Sequence, residues 1–215
     1  MTKSQQAVRD LVRVIKDITG NLPPLPGIFP DMMAPVVINA PPDNTREMMM
    51  MRWGFPQPDP RPAEKPRGGY VTNVRNTTSA YWKPYLWPEF RCLVPVTSFA
   101  EYDHRTRPPT CTWFARNESR PLMFFAGIWR PWNGRRGTKA APAEGDHLLF
   151  SFLTTTPNSV VAPIHEKAMP VLLLDEAQRE AWLTGTMDEA LKLQRPAPND
   201  AITVVMTGEK EDVVI

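Results

Sequence analysis

A chain of 215 residues lies within the range that one hydrophobic core can serve, and its composition, 42% hydrophobic and 22% charged, is that of a folded globular protein, which excludes a disordered tail. Its 25 Lys and Arg against 23 Asp and Glu leave a formal net charge of +2, too little to mark a nucleic-acid binder unless the positive charge is gathered in one place. The two cysteines show no CxxC or Cys/His spacing, so the pattern supports neither a disulfide framework nor a metal site, and no apolar run approaches bilayer length.

A single domain over residues 1–215 is expected, in a cytoplasmic protein with no membrane partner, no metal and no cofactor. Ser4 is placed to cap a helix reaching about Thr19, with Val8, Leu11, Val12 and Ile15 on one face and Gly20 as its stop. The prolines of "NLPPLPGIFPDMMAPVV" forbid a helix and leave extended backbone until the strand "APVVIN". "REMMMMRWGFPQP" reads as a strand with methionine as core filler, ending at Gly54 and Pro56. A loop, "DPRPAEKPRGG", precedes "YVTNVRNTTSAYWKPYLW", a strand turning into a short helix with Thr78 or Ser79 as cap.

Four aromatic and β-branched runs follow at the spacing of a meandering antiparallel sheet: "RCLVPVTSFAEYD", "CTWFARN", "LMFFAGIWRPW" and "LLFSFLTTT". Between the last two, residues 130–146 read as a long mobile hairpin loop. The arginines of the middle of the chain, Arg105, Arg107, Arg116, Arg120, Arg130, Arg135 and Arg136, read by default as a solvated face. "MPVLLL" predicts another buried strand. "DEAQREAWLTG" predicts a helix from Asp175 to Gly185, "MDEALKL" a second helix, and "AITVVM" a last strand. The sum is an α+β fold, a curved, barrel-like and mainly antiparallel sheet with peripheral helices.

Polar residues set inside apolar runs carry the functional signal, because burying them without partners is costly. Asn73 and Arg75 stand in "VTNVRNT", Glu101 ends "PVTSFAEY", and His165 follows "VVAPI". Partial burial would raise the Glu101 pKa towards neutrality and fit it for proton transfer, although a carboxylate paired with an arginine gives the same pattern. His165 can give or take a proton near neutral pH, and equally can be a hydrogen-bonded structural residue. Cys92 and Cys111 occupy strand interiors, away from the cationic settings that activate a thiol, and no GxSxG elbow surrounds Ser98. A single-stranded DNA groove would need stacking platforms, for which Trp53 and Trp82 are candidates, and arginine contacts to phosphate.

Taken together, "RWGF" (52–55), "NVRNT" (73–77), "RCLVPVTSFAEY" (91–102) and "APIHEKAMPVLL" (162–173) resemble, in order and spacing, the SOS-response-associated peptidase (SRAP) family, whose members shield abasic sites in single-stranded DNA. The resemblance implies a sheet-rich α+β fold. It also implies a covalent DNA–protein crosslink, in which the amine of an N-terminal cysteine attacks the sugar aldehyde and its thiol closes a thiazolidine, with autoproteolytic trimming of the N-terminus. An α-amino group has a pKa of about 7.7–8.0, so a useful fraction is nucleophilic at neutral pH. By match to the motifs, Asn73 would position the N-terminus and DNA, Glu101 would shuttle protons, His165 would assist sugar ring opening, and Arg75 would contact phosphate.

The sequence departs from the family pattern in two places. It begins Met1, Thr2, Lys3 where the family opens Met-Cys, and Thr77 stands where the family commonly has an acidic residue. One expectation is a natural start a few residues earlier that supplies the cysteine. The alternatives are reversible trapping through the amine of Thr2, and a non-covalent single-stranded DNA-binding module that has lost its nucleophile.

Overall fold

The fold is that of a computed structural model in which residues 3–58 and 69–212 are described. Thr2 and all but the end of the expected 59–69 loop lie outside them. Ser4 caps α1 (Gln5–Val12), its Oγ accepting from the Ala7 N–H at 3.2 Å. The helix stops well short of Thr19 because Arg13 turns left-handed at φ 53°, its N–H bonding back to the Arg9 carbonyl. Val8 and Val12 are buried as expected; Leu11 and Ile15 are exposed instead.

After β1 (Lys16–Asp17) and the proline-rich stretch, β2 (Met33–Ala40) and β3 (Thr45–Trp53) form an antiparallel pair, with Ala40 opposite Thr45 and Met33 opposite Arg52. The predicted single strand ends at Trp53. Gly54 then turns the chain at φ +110°, where a Cβ would meet the Tyr70 Cβ at 2.8 Å, and β4 (Phe55–Pro56) pairs with β5 (Tyr70–Val71). β6 (Asn73–Val74) follows. The expected short helix appears as 3-10 turns at Lys83–Leu86 and Pro88–Phe90, with no capping by Thr78 or Ser79; the Ser79 hydroxyl accepts from the Tyr81 N–H in the preceding turn.

β7 (Arg91–Val96), β8 (Phe99–Asp103), β9 (Thr110–Ala115), β10 (Met123–Gly137) and β11 (Pro142–Thr155) arise from the four predicted runs but are not one meander: both edges of β7 are taken by β2 and β10, so β8 and β9 pair with each other in a separate sheet. "MPVLLL" divides into β12 (Met169–Pro170) and β13 (Leu172–Leu173). Then come α2 (Glu176–Thr184), capped by Asp175 and ended at Gly185, α3 (Met187–Leu191) with a Thr186/Glu189 capping box, and β14 (Thr203–Thr207).

The order β3-β2-β7-β10-β11 closes into a five-stranded barrel when β11 pairs in parallel with β3, Leu149 opposite Arg52 and Phe150 opposite Trp53. Both faces of these strands are buried, so their sequences are near-continuous apolar runs. One set of alternate side chains, including Leu93, Phe124 and Leu149, packs under α1, α2 and the 3-10 turns. The other set, including Val94, Phe125 and Phe150, faces the three-stranded sheet β14-β9-β8.

Residues 130–146 are not a loop. They form a regular ribbon from Arg130 opposite Leu149 to Gly137 opposite Pro142, with a tip at residues 138–141 closed by the Thr138 N–H donating to the Ala141 carbonyl at 3.2 Å. Arg136 anchors it: the fully buried guanidinium donates to the Asp31 carboxylate at 2.8 Å and to the Gly54 carbonyl at 2.7 Å, and lies 3.7 Å from the Tyr70 ring centroid. Arg120 is buried too, paired with Asp212. The arginine cluster is therefore partly structural rather than a solvated face, while Arg116 and Arg135 do lie at the surface.

Candidate active site

Between the barrel and the three-stranded sheet lies a cavity of about 330 Å³ whose wall includes Trp53, Asn73, Glu101 and His165. Four separate elements bring them there. Trp53 is the last residue of β3; its indole N–H donates to the Thr72 carbonyl at 3.1 Å and its ring stacks on Phe152, centroids 5.4 Å apart. That bond ties the end of β3 to the residue before Asn73, which is held opposite Phe152 by the parallel β6–β11 pairing. Glu101 comes from β8, opposite Thr112.

His165 ends a turn organised by buried Asn158. The Asn158 side-chain Oδ1 accepts from the Val160 and Val161 N–H groups, its side-chain Nδ2 donates to the Ala197 carbonyl, and the His165 N–H bonds to the Val161 carbonyl at 2.9 Å. The result places His165 Nδ1 3.6 Å from Glu101 Oε2.

Burial dominates the electrostatics. It pushes the Glu101 carboxyl up to about 7, so near neutral pH the side chain divides between its acid and base forms. It also lowers His165 below the usual imidazole range, helped by His104 and Lys167 and opposed by Glu166. The distance alone would suggest an ion pair, yet both shifts favour the uncharged forms. The contact is therefore a poised acid–base pair: a carboxyl able to donate beside a neutral imidazole able to accept. No group of three or more His, Cys, Asp and Glu suited to a metal occurs among the described residues.

Two sequence candidates fall elsewhere. Trp82 is 7% exposed and packed between Phe55 and Tyr81 in the helix-covered core, so it cannot serve as a stacking platform for a DNA base. Arg75 is exposed just beyond Asn73, outside the cavity wall. Its strand end is held by Gln194, whose amide donates to the Arg75 and Thr154 carbonyls and whose carbonyl accepts from the Thr77 hydroxyl. Cys111 lines the cavity, but burial raises its thiol; Cys92 is sealed in the core. Sequence reasoning missed the wall formed by Leu25 to Pro30 and the cavity residues Thr72, Ser98 and Lys210. Only the prolines hinted at a rigid, surface-hugging wall.

The family model for SOS response associated peptidase (SRAP) matches residues 1–210. The chain belongs to the SRAP family. Among relatives, it is 32% identical over 142 residues to the abasic site processing protein YoqW of Bacillus subtilis (strain 168), the match covering 62% of this chain and 55% of YoqW. It is 31% identical over 141 residues to YobE of the same organism, another abasic site processing protein, covering 62% and 57%. The chain thus spans little more than half the length of these SRAP relatives. Among solved structures, a protein from Bordetella bronchiseptica matches with a TM-score of 0.68 at 21% identity, over 97% of this chain and 95% of that one. A protein from Bacteroides thetaiotaomicron matches at 0.57 and 20% identity, over 81% and 73%. At these identities the structural matches speak to the fold alone, an α+β domain with a barrel-like sheet.

Proposed function

We propose that this protein processes abasic sites in single-stranded DNA by covalent capture of the opened sugar. The observation that carries the reading is the convergence of Asn73, Glu101 and His165 on one cavity, with Glu101 and His165 3.6 Å apart and the carboxyl raised to about 7. An abasic deoxyribose is a cyclic hemiacetal. Opening it requires a base to take the proton of the anomeric hydroxyl and an acid to protonate the ring oxygen as the C1′–O4′ bond breaks. Neutral His165 fits the first role and protonated Glu101 the second.

The aldehyde released at C1′ is then attacked by an amine. In the family pattern this is the N-terminal amine, whose cysteine thiol would close the adduct into a thiazolidine once that residue is exposed by autoproteolytic trimming. Asn73 positions the reacting groups by its side-chain amide, Arg75 meets a flanking phosphate at the rim, and Trp53 is a half-buried aromatic of the cavity wall. The cavity volume suits a sugar-sized occupant.

The test is intact mass after incubation with a single-stranded oligonucleotide carrying one abasic site, with the undamaged strand as control. The same chain extended to begin Met-Cys is run alongside. A denaturation-resistant adduct confined to the abasic strand is expected, most stable on the extended chain. Equal binding of both strands with steep salt dependence and no adduct would instead make the protein a non-covalent binding module.

A further inference from the structure

The cavity wall contains one more group able to attack an aldehyde. Lys210, just beyond β14, is the one amine among the described residues of the wall that also holds Glu101 and His165. Its backbone is fixed on both sides. Upstream, the Gly208 N–H donates to the Cys111 carbonyl at 2.8 Å and the Trp113 indole donates to the Glu209 carbonyl at 2.9 Å. Downstream, the Asp212 N–H donates to the Pro26 carbonyl at 2.9 Å, and the buried Asp212 carboxylate accepts from Arg120 Nε at 2.9 Å and from the Ser98 hydroxyl.

These anchors reach both walls of the cavity: Cys111, Trp113 and Ser98 belong to the side of the three-stranded sheet, and Pro26 to the proline-rich wall. An exposed residue suspended between them is held at the mouth rather than left to wander. Its amine is also uncommitted. Among the described residues the lysine engaged in an ion pair is Lys16, with Glu47, and none of the ion pairs involves Lys210.

We propose that Lys210 is a second nucleophile of this site, condensing with the aldehyde of the opened deoxyribose to form an imine. The proposal rests on the reading of the cavity as an abasic-sugar site. In its unprotonated form Lys210 Nζ adds its lone pair to C1′, and one of the two nitrogen protons passes to the aldehyde oxygen to give a neutral carbinolamine. That hydroxyl then leaves as water, with one proton from a general acid, while the nitrogen gives up its own proton and forms the C=N bond. The sum is amine plus aldehyde giving imine plus water, with no change of oxidation state. Such an adduct hydrolyses by the reverse path. Lys210 therefore provides reversible capture, and a step by which the sugar could be passed to or from an N-terminal amine.

Sodium borohydride, which reduces an imine to a permanent secondary amine, is the probe. The full chain is incubated with a single-stranded abasic oligonucleotide, reduced, digested and mapped by mass spectrometry. The adduct is expected on the peptide that contains Lys210. Lys210→Arg keeps the positive charge at an exposed position and should lower the borohydride-dependent adduct by about tenfold or more, with an unchanged melting temperature showing that the fold is intact. An adduct found solely on the N-terminal residue or on another lysine, or one undiminished in Lys210→Arg, overturns the proposal while leaving abasic capture standing. No adduct on the wild type, together with equal binding of abasic and intact strands, overturns both.

Discussion

The two faces of the barrel strands are equally apolar and differently finished. On one, Trp182 is fully buried under α2, its indole N–H donating to the Cys92 and Gly127 carbonyls at 3.0 Å each, and Arg91 lies 5.4 Å from its ring while donating to the Leu86, Trp182 and Gly185 carbonyls. On the other, alternate residues of the same strands, Val94, Val96, Phe125 and Phe152, meet a cavity before they meet the three-stranded sheet. Complete packing gives rigidity; incomplete packing gives a chamber enclosed enough to shift a carboxyl to about 7 and open enough to admit a ligand.

The strongest way to break this contrast is on the packed side. Trp182→Ala should cost about 3–5 kcal/mol in urea unfolding, by loss of burial and the cavity left behind, whereas the pH-dependent part of stability set by Glu101 should survive in the fraction that folds. A similar loss without the packed-side location would blur the distinction.

Glu101→Gln tests the open side. The abasic-strand adduct should form about 100-fold more slowly, because the amide keeps the shape and cannot transfer the proton. Stability carries a second signature. The native carboxyl pKa near 7 stands above the ordinary 4.5, so the folded state holds the proton more tightly. The resulting stabilisation is full below about pH 4.5 and is lost as pH rises through 7, on the order of 2–3 kcal/mol. Wild type should therefore lose stability relative to Glu101→Gln between pH 4.5 and 7.5 in chemical denaturation; a flat difference would show that the carboxyl is not held buried in the chamber.

The tryptophans sharpen the comparison further. Trp53→Ala should weaken binding of single strands, by about 1–3 kcal/mol if a base stacks there, and Trp82→Ala should act through stability alone. Fluorescence anisotropy at fixed salt, beside melting curves, separates the two. The smallest effect belongs to the α1 cap: Ser4→Ala should cost about 1 kcal/mol and leave adduct formation unchanged.

What was legible in the sequence was what short-range chemistry encodes. The α2 helix lies between Asp175 and Gly185 because a cap and a stop sit where the apolar period begins and ends. The barrel strands announced themselves as apolar runs, and Glu101 and His165 stood out as polar residues beside them. The end of α1 was hidden, since an arginine in the left-handed region carries no signal of its own. The 130–146 ribbon was hidden for a different reason: its glycine, proline and arginine content suits a loop, while its order depends on Arg136 reaching Asp31, far back in the chain. Trp82 and Trp53 look alike in sequence, and only tertiary packing decides that one is sealed and the other borders the chamber. Lys210 is the extreme case, an ordinary lysine in a polar tail whose position is set by Asp212, Arg120 and Pro26.

The parallel seam between β3 and β11 has a consequence for how the molecule comes into being. It joins Arg52 to Leu149 and Trp53 to Phe150, close to half the chain apart in sequence, so its loop-closure cost comes before any local contact can offset it. Hairpins such as β2–β3 and β10–β11 can form early, but the chamber needs the seam, because Trp53 borders it from one strand and Phe150 from the other. A nascent chain released before β11 would carry Asn73 and Glu101 without a site to put them in. Reactivity towards an aldehyde should accordingly appear late during refolding, after most of the secondary structure, as a property of the closed barrel and not of its pieces.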